Sequence, residues 1–273
     1  MQLIDSHAHL QAAAFAEDAA AVLAAARLAG VTRLLVPGWD IASSRAAVQR
    51  SSEWGVQAAA GVHPHVAAAA SPEWDELSEL AGDPRVVAVG ETGLDYDRAF
   101  SPRDAQLVNL RGHFELARRL GKPVILHCRS KPGQRDAQDD LLRELAEAGA
   151  GTRDWPTTNG RPPALLHSFS GPADYAAQAL ELGLAISFSG LVFRRGEEVS
   201  ADVVRLVPAE RLLIETDSPY LSPPGASRRR NEPQWVSITA AWLAERRDED
   251  PAQLGRLLVA NYDRVFGLRD GRG

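Results

Sequence analysis

Short apolar runs recur along this chain, and most of them end on a residue able to bind a proton, a phosphate or a metal. The runs predict strands at Leu3–Asp5, Arg33–Val36, Gln57–Gly61, Val86–Gly90, Val124–His127, Ala164–His167, Ala185–Phe188 and Leu212–Glu215. Several are continuously apolar rather than alternating, as expected for strands buried on both faces of a parallel sheet. Helical patterns fall between them. Phe15 to Leu28 stops at Gly30, Ser43 to Trp54 at Gly55, Pro102 to Leu120 at Gly121, Gln138 to Ala148 at Gly149, and Pro172 to Leu182 at Gly183. Glycine is the residue best suited to close a helix in the left-handed conformation, and proline is tolerated in a first turn.

Eight strands with intervening helices predict an α/β fold, a (β/α)8 TIM-type barrel. Its active site would lie at the C-terminal ends of the parallel strands. An open doubly wound sheet is the competing arrangement, but no GxGxxG or GxxxxGK[ST] motif supports a nucleotide-binding fold. At 273 residues the chain suits one barrel domain over its full length. Two segments break the rhythm: residues 149–163, read as a surface excursion, and the proline-rich stretch from Ser218 to Pro233, expected to drape over the mouth. The Arg/Gly tail at residues 269–273 is expected to be disordered.

Composition narrows the function. Hydrophobic residues make up 45% and charged residues 24%, ordinary for a globular domain. The net charge of -6 counts against a protein that coats nucleic acid non-specifically. It leaves room for an enzyme that grips phosphates through a metal centre and local arginines. One cysteine, Cys128, allows no intramolecular disulfide and fits a reducing compartment; beside His127 it reads as a small buried hydrophobe. No signal-peptide pattern and no run long enough to span a bilayer is evident. The expectation is a cytoplasmic protein with no membrane association and no obligate protein partner.

The strand ends carry the chemistry. His7 and His9 alternate along an extended segment, so both rings can face one ion; a pair of surface histidines is the bland alternative. Glu91 follows four apolar residues and a glycine, where a carboxylate is costly unless paired or metal-bound. His127 and His167 each end an apolar run, and either alone would read as a satisfied core histidine. Arg129, two residues beyond His127, would project to the same side and can hold a phosphate bidentately. Asp217 can ligate a metal and take a proton from an attacking water, though Asp before Ser-Pro is also common in turns. Glu215 shares its strand face, as a partner acid or a structural one. His63 and His65 form a further pair, assigned to substrate contact.

The motifs D-S-H-A-H (Asp5 to His9), G-V-H-P-H (Gly61 to His65), G-E-T-G-L-D (Gly90 to Asp95), H-C-R-S (His127 to Ser130), H-S-F-S-G (His167 to Gly171), E-T-D-S-P-Y-L (Glu215 to Leu221) and R-N-E-P (Arg230 to Pro233) occur in this order. Over nearly its whole length the chain thus resembles the TatD family of metal-dependent deoxyribonucleases, within the amidohydrolase-like metal barrels. The resemblance implies a TIM-type barrel with two divalent ions. His7, His9, Glu91 and Asp217 would hold one ion, and Glu91, His127 and His167 the other, with Glu91 bridging. Two departures stand out: the Arg-Gly usual before N-E-P reads Ser227-Arg228, and residues 149–163 are longer than usual.

The expected activity is hydrolysis of DNA phosphodiester bonds, exonucleolytic and directed at 3′ ends or single strands. The ions would be Mg²⁺, Mn²⁺ or Zn²⁺ and the nucleophile a metal-activated water. Asp217 and Glu91 are the catalytic candidates, with His63, His65 and Arg129 on the phosphate. The same centre could polarise a carbonyl in an amidohydrolase or a deacylase acting on a small molecule or aminoacyl ester. A barrel that only binds nucleic acid or a partner protein would need this ligand set to be vestigial.

Overall fold

The computed structural model describes residues 1–68, 74–153, 155, 160–227 and 229–268. The tail at 269–273 and most of 154–159 therefore lie outside the described residues. The strands are β1 (Leu3–Asp5), β2 (Val31–Pro37), β3 (Gln57–Ala60), β4 (Val86–Asp95), β5 (Val124–Arg129), β6 (Ala164–Leu166), β7 (Ala185–Phe188) and β8 (Leu212–Ile214). The helices are α1 (Ala19–Leu28), α2 (Ile41–Trp54), α3 (Trp74–Gly82), α4 (Arg103–Leu120), α5 (Asp136–Glu147), α6 (Ala173–Glu181), α7 (Glu198–Val203), α8 (Val236–Arg247) and α9 (Pro251–Phe266). The sheet follows chain order from β1 to β8, which is the (β/α)8 topology. All eight expected strands are present. Helix α1 begins later than its pattern suggested, because Phe15 belongs to a separate 3-10 turn, Ala13–Phe15.

The chain divides into two compact units. The first comprises Met1–Val36, His167–Ala176 and Ile186–Gly273. Here β1 pairs with β2, β7 pairs with β8, and all run parallel. Ser6 N–H donates to Ile214 O at 3.1 Å, joining the end of β1 to β8. Helix α9 packs on both β1 and β8. Its start is set by Asp250, whose carboxylate accepts Gln253 N–H, with Pro251 in the first turn, and its end by left-handed Gly267. Leu254, Leu258, Tyr262 and Val265 recur at helical spacing and are buried, each large side chain contributing about 1.5–3 kcal/mol. The amide of Asn261 caps two carbonyls of the segment leading into β8, Ala209 O and Leu212 O, at 2.7 and 2.8 Å.

The second unit comprises Pro37–Leu166 and Ala177–Ala185. Strands β3 to β6 pair in sequence, parallel throughout. Asp40 and Ser43 form a reciprocal capping box at the start of α2, and Gly55 closes it in the left-handed conformation. Small residues let the strands approach: a Cβ at Gly61 would meet Gly90 Cα at 2.4 Å. Strand β4 runs five residues beyond its apolar stretch, in register with β5 from Thr92↔Leu126 to Asp95↔Arg129. Trp155, within the 149–163 excursion, is buried with its ring edge-on to Phe114 at 5.4 Å. That ring ties the excursion to α4.

Candidate metal centre

In the first unit, the segment after β1 stays extended and Ala8 bridges to Ser218. This alternation sets His7 and His9 side by side, their Nε2 atoms 3.2 Å apart. Asp217 Oδ1 lies 3.8 Å from His7 Nε2 and 3.5 Å from His9 Nε2. A left-handed backbone at Asp217, φ 54°, turns its side chain towards them, and the turn is fixed by Asp217 N–H to His7 O and Tyr220 N–H to Asp217 O. The His167 ring stacks on His7, centroids 4.0 Å apart. Its Nδ1 faces Glu215 Oε1 at 3.1 Å, and buried Glu215 also accepts Ser6 Oγ at 3.2 Å. A carboxylate on Nδ1 fixes the tautomer that leaves Nε2 as a donor for a metal.

Burial opposes ionisation of Asp217, but the imidazoles of His9, His7 and His167 together hold it below the usual carboxylate range. Asp5 goes the other way. Burial raises it to about 8, despite the bonds it accepts from Thr216 Oγ1 and N–H. It therefore reads as a strut between the ends of β1 and β8. Two imidazole nitrogens 3.2 Å apart, both beside one carboxylate oxygen, place lone pairs against each other unless a cation or proton lies between. This donor set fits a divalent ion.

In the second unit, Glu91, Gly93 and Asp95 share one face of β4. Gly93 is obligatory: its φ is +139°, and a Cβ there would lie 1.9 Å from His127 O. Glu91 Oε1 lies 3.3 Å from both His127 Nδ1 and His63 Nε2. Asp95 Oδ2 lies 2.7 Å from His65 Nε2 and 3.2 Å from His127 Nε2. His127 thus has Glu91 on one ring nitrogen and Asp95 on the other. Burial works against ionisation of Asp95, yet hydrogen bonds from His127 and His65 and from the Arg98 N–H hold it well below the ordinary range. With Asp95 accepting the Nε2–H, His127 offers Nδ1 beside Glu91.

His63 plays a different part. Its Nδ1 accepts the His65 N–H at 3.1 Å, so the ring proton sits on Nε2 and points at Glu91. Burial lowers its pKa to about 4 against the opposing pull of Glu91, so the ring is neutral near pH 7.

The structure therefore gathers His7, His9, His167 and Asp217 with Glu215 in one unit, and Glu91, His63, His65 and His127 with Asp95 in the other. Asp95 was missed as a site residue because β4 was expected to stop at Gly90; its parity with Glu91 was the available signal. Arg129 is 46% exposed and its Nε donates to Asp97 at 2.7 Å. Cys128 is half-buried, not fully enclosed as expected, since β5 carries it to the open end of the strand. Arg230 is engaged by Asp18, Glu232 and Ala14 O and lies over the Phe15 ring.

A (β/α)8 chain with imidazoles and carboxylates gathered after its strands defines a metal-dependent hydrolase. The chain belongs to the TatD-related DNase family, whose description matches residues 4–267. It is 37% identical over 274 residues to a 3′-5′ ssDNA/RNA exonuclease TatD of Klebsiella pneumoniae, covering 97% of this chain and 98% of that one. A metal-dependent hydrolase of Bacillus subtilis is 33% identical over 270 residues, with 97% and 99% covered. Among solved structures, a TatD homologue from Escherichia coli superposes with a TM-score of 0.82 at 28% identity, covering 98% of each chain. Among the described residues, no helix is long and apolar enough to cross a membrane.

Proposed function

We propose that this protein is a two-metal exonuclease that hydrolyses DNA phosphodiester bonds at 3′ ends of single strands. The observation that supports it best is the convergence of His7, His9 and Asp217 in one unit and of Glu91 and His127 in the other, within a family of DNases. Two divalent ions, Mg²⁺, Mn²⁺ or Zn²⁺, would polarise the phosphoryl oxygen and lower the pKa of a water. His7, His9, Asp217, Glu91, His127 and His167 would hold them. Asp217, kept ionised by its imidazole neighbours, would take the proton of the attacking water. His63 would hold Glu91 in place through Nε2–H, and His65 and Arg129 would steady the phosphate. The half-buried single cysteine suits a reducing setting, which supports a cytoplasmic location.

The test pairs metal analysis of protein purified without chelator with cleavage of a 3′-labelled single-stranded oligonucleotide. Glu91→Ala should retain the wild-type circular dichroism and lose cleavage. Wild-type-like cleavage by that variant would overturn the role given to Glu91. A steep fall of affinity with salt separates phosphate gripping from carbonyl hydrolysis on a small molecule.

A further inference from the structure

We infer that Phe100, with Arg98 beside it, forms a nucleobase-stacking subsite next to the His65–Asp95–His127 cluster; this rests on the nuclease reading above. Phe100 is 69% exposed. A single exposed apolar side chain is ordinary and decides nothing alone. Its surroundings decide. The ring meets that of His65 edge-to-face, centroids 4.8 Å apart and planes at 85°, so the exposed aromatic surface borders a histidine already joined to Asp95 at 2.7 Å.

The turn that presents Phe100 is tied down. Asp95 Oδ1 accepts the N–H groups of Asp97 and Arg98 at 3.1 and 2.8 Å. Ser101 Oγ donates to His65 O and accepts the Ala68 N–H, both at 3.0 Å. Gln106 Nε2 donates to Ser101 O at 2.8 Å. Ala99, between Arg98 and Phe100, has φ 49°, a conformation unfavourable for any residue with a Cβ. The same carboxylate that orients His65 and His127 therefore also anchors the turn carrying the ring.

Charge completes the picture. Arg98 is exposed and makes no ion pair among the described residues, whereas Arg129 is engaged by Asp97. An exposed aromatic face with a cation two residues away matches the two things a single strand offers, an unstacked base and a phosphate. A duplex keeps its bases stacked on each other, so this subsite selects single strands and frayed ends.

The test uses the metal-loaded enzyme, a single-stranded oligonucleotide, and the same strand carrying abasic tetrahydrofuran units at its 3′-terminal positions. Phe100→Ala should raise KM for the normal strand about tenfold, within the range of base–aromatic stacking, and Phe100→Trp should restore it. On the abasic strand, wild type and Phe100→Ala should behave alike. Arg98→Ala should raise KM on both strands and lower the salt slope by about one. If wild type leaves the normal strand intact, the nuclease reading itself falls. If wild type cleaves it while Phe100→Ala keeps the same KM, or suffers equally on the abasic strand, the stacking subsite is overturned.

Discussion

His113 should make the stability of this protein acid-sensitive, and the size of the effect follows from its two hydrogen bonds. The ring is fully buried on α4. Its Nδ1–H donates to Asn109 O at 2.7 Å, and Nε2 accepts the Val62 N–H at 2.9 Å. One neutral tautomer satisfies both; a proton on Nε2 would break the second. Burial lowers the pKa from 6.5 to about 4, against a smaller upward pull from the Asn109 carbonyl. Because the folded pKa lies below the unfolded one, the unfolded chain takes up a proton that the folded chain refuses. Stability is therefore complete above about pH 6.5 and declines as pH falls towards 4. The drop from 6.5 to about 4 corresponds to about 3 kcal/mol in full, of which about 2 kcal/mol is lost by pH 5. Urea unfolding of metal-free wild type and His113→Gln at pH 7.5 and 5 isolates this residue from the other histidines, which both proteins share. The variant should be the less stable at pH 7.5, and the gap should narrow by about 2 kcal/mol at pH 5. A gap that stays constant between those pH values would refute the reasoning.

Three further outcomes follow from the geometry. Asp95→Asn should weaken divalent-metal binding roughly 10- to 100-fold, because His127 loses the carboxylate that fixes its tautomer; unchanged affinity in titration calorimetry would remove Asp95 from that role. Gly93→Ala should lower the thermal midpoint sharply or abolish soluble expression, since its Cβ would lie 1.9 Å from His127 O at φ +139°; a wild-type melting curve would contradict the register of β4 and β5. Arg230→Ala should lower stability only modestly, by up to about 1 kcal/mol, while leaving KM for an oligonucleotide unchanged, because Asp18 and Glu232 already hold the guanidinium. A raised KM with unaltered stability would make it a substrate contact instead.

The strands were legible because each contains a short apolar run, most of them closed by a polar residue. Strand β4 was under-read for the same reason: its second half, Glu91 to Asp95, is polar and glycine-containing, so periodicity fails where pairing with β5 continues. Helices α8 and α9 were not delimited by sequence. The buried face of α8 includes Thr239, Ala240 and Ala244, small residues that give little apolar contrast. Ligand candidates were legible because a histidine or carboxylate after an apolar run is costly to leave unsatisfied. Their partners were not, since the Asp95–His127 and Asp5–Thr216 contacts span 32 and 211 residues, distances over which a single sequence carries no local signal.

Helix α4 shows why this matters for the site. Gln106, Asn109 and His113 recur at i, i+3 and i+7 on its buried face, where apolar residues would be expected. Each instead satisfies backbone or hydroxyl groups in the last half of β4 or just beyond the end of β3. Gln106 accepts the Asp95 N–H and donates to Asp95 O. Asn109 Nδ2 donates to Val62 O at 2.7 Å and to Thr92 Oγ1 at 3.1 Å, and His113 takes the Val62 N–H. Buried backbone groups must find partners, and beyond a strand end the neighbouring strand no longer supplies them. Of the residues thus fixed, Val62 and Thr92 adjoin His63 and Glu91, and Asp95 itself pairs with His65 and His127. A polar stripe that reads as a weakness in an amphipathic helix is here what holds two donor-bearing segments, the stretch after β3 and the end of β4, at fixed positions. Apolar replacements along it should therefore disturb metal binding as well as stability.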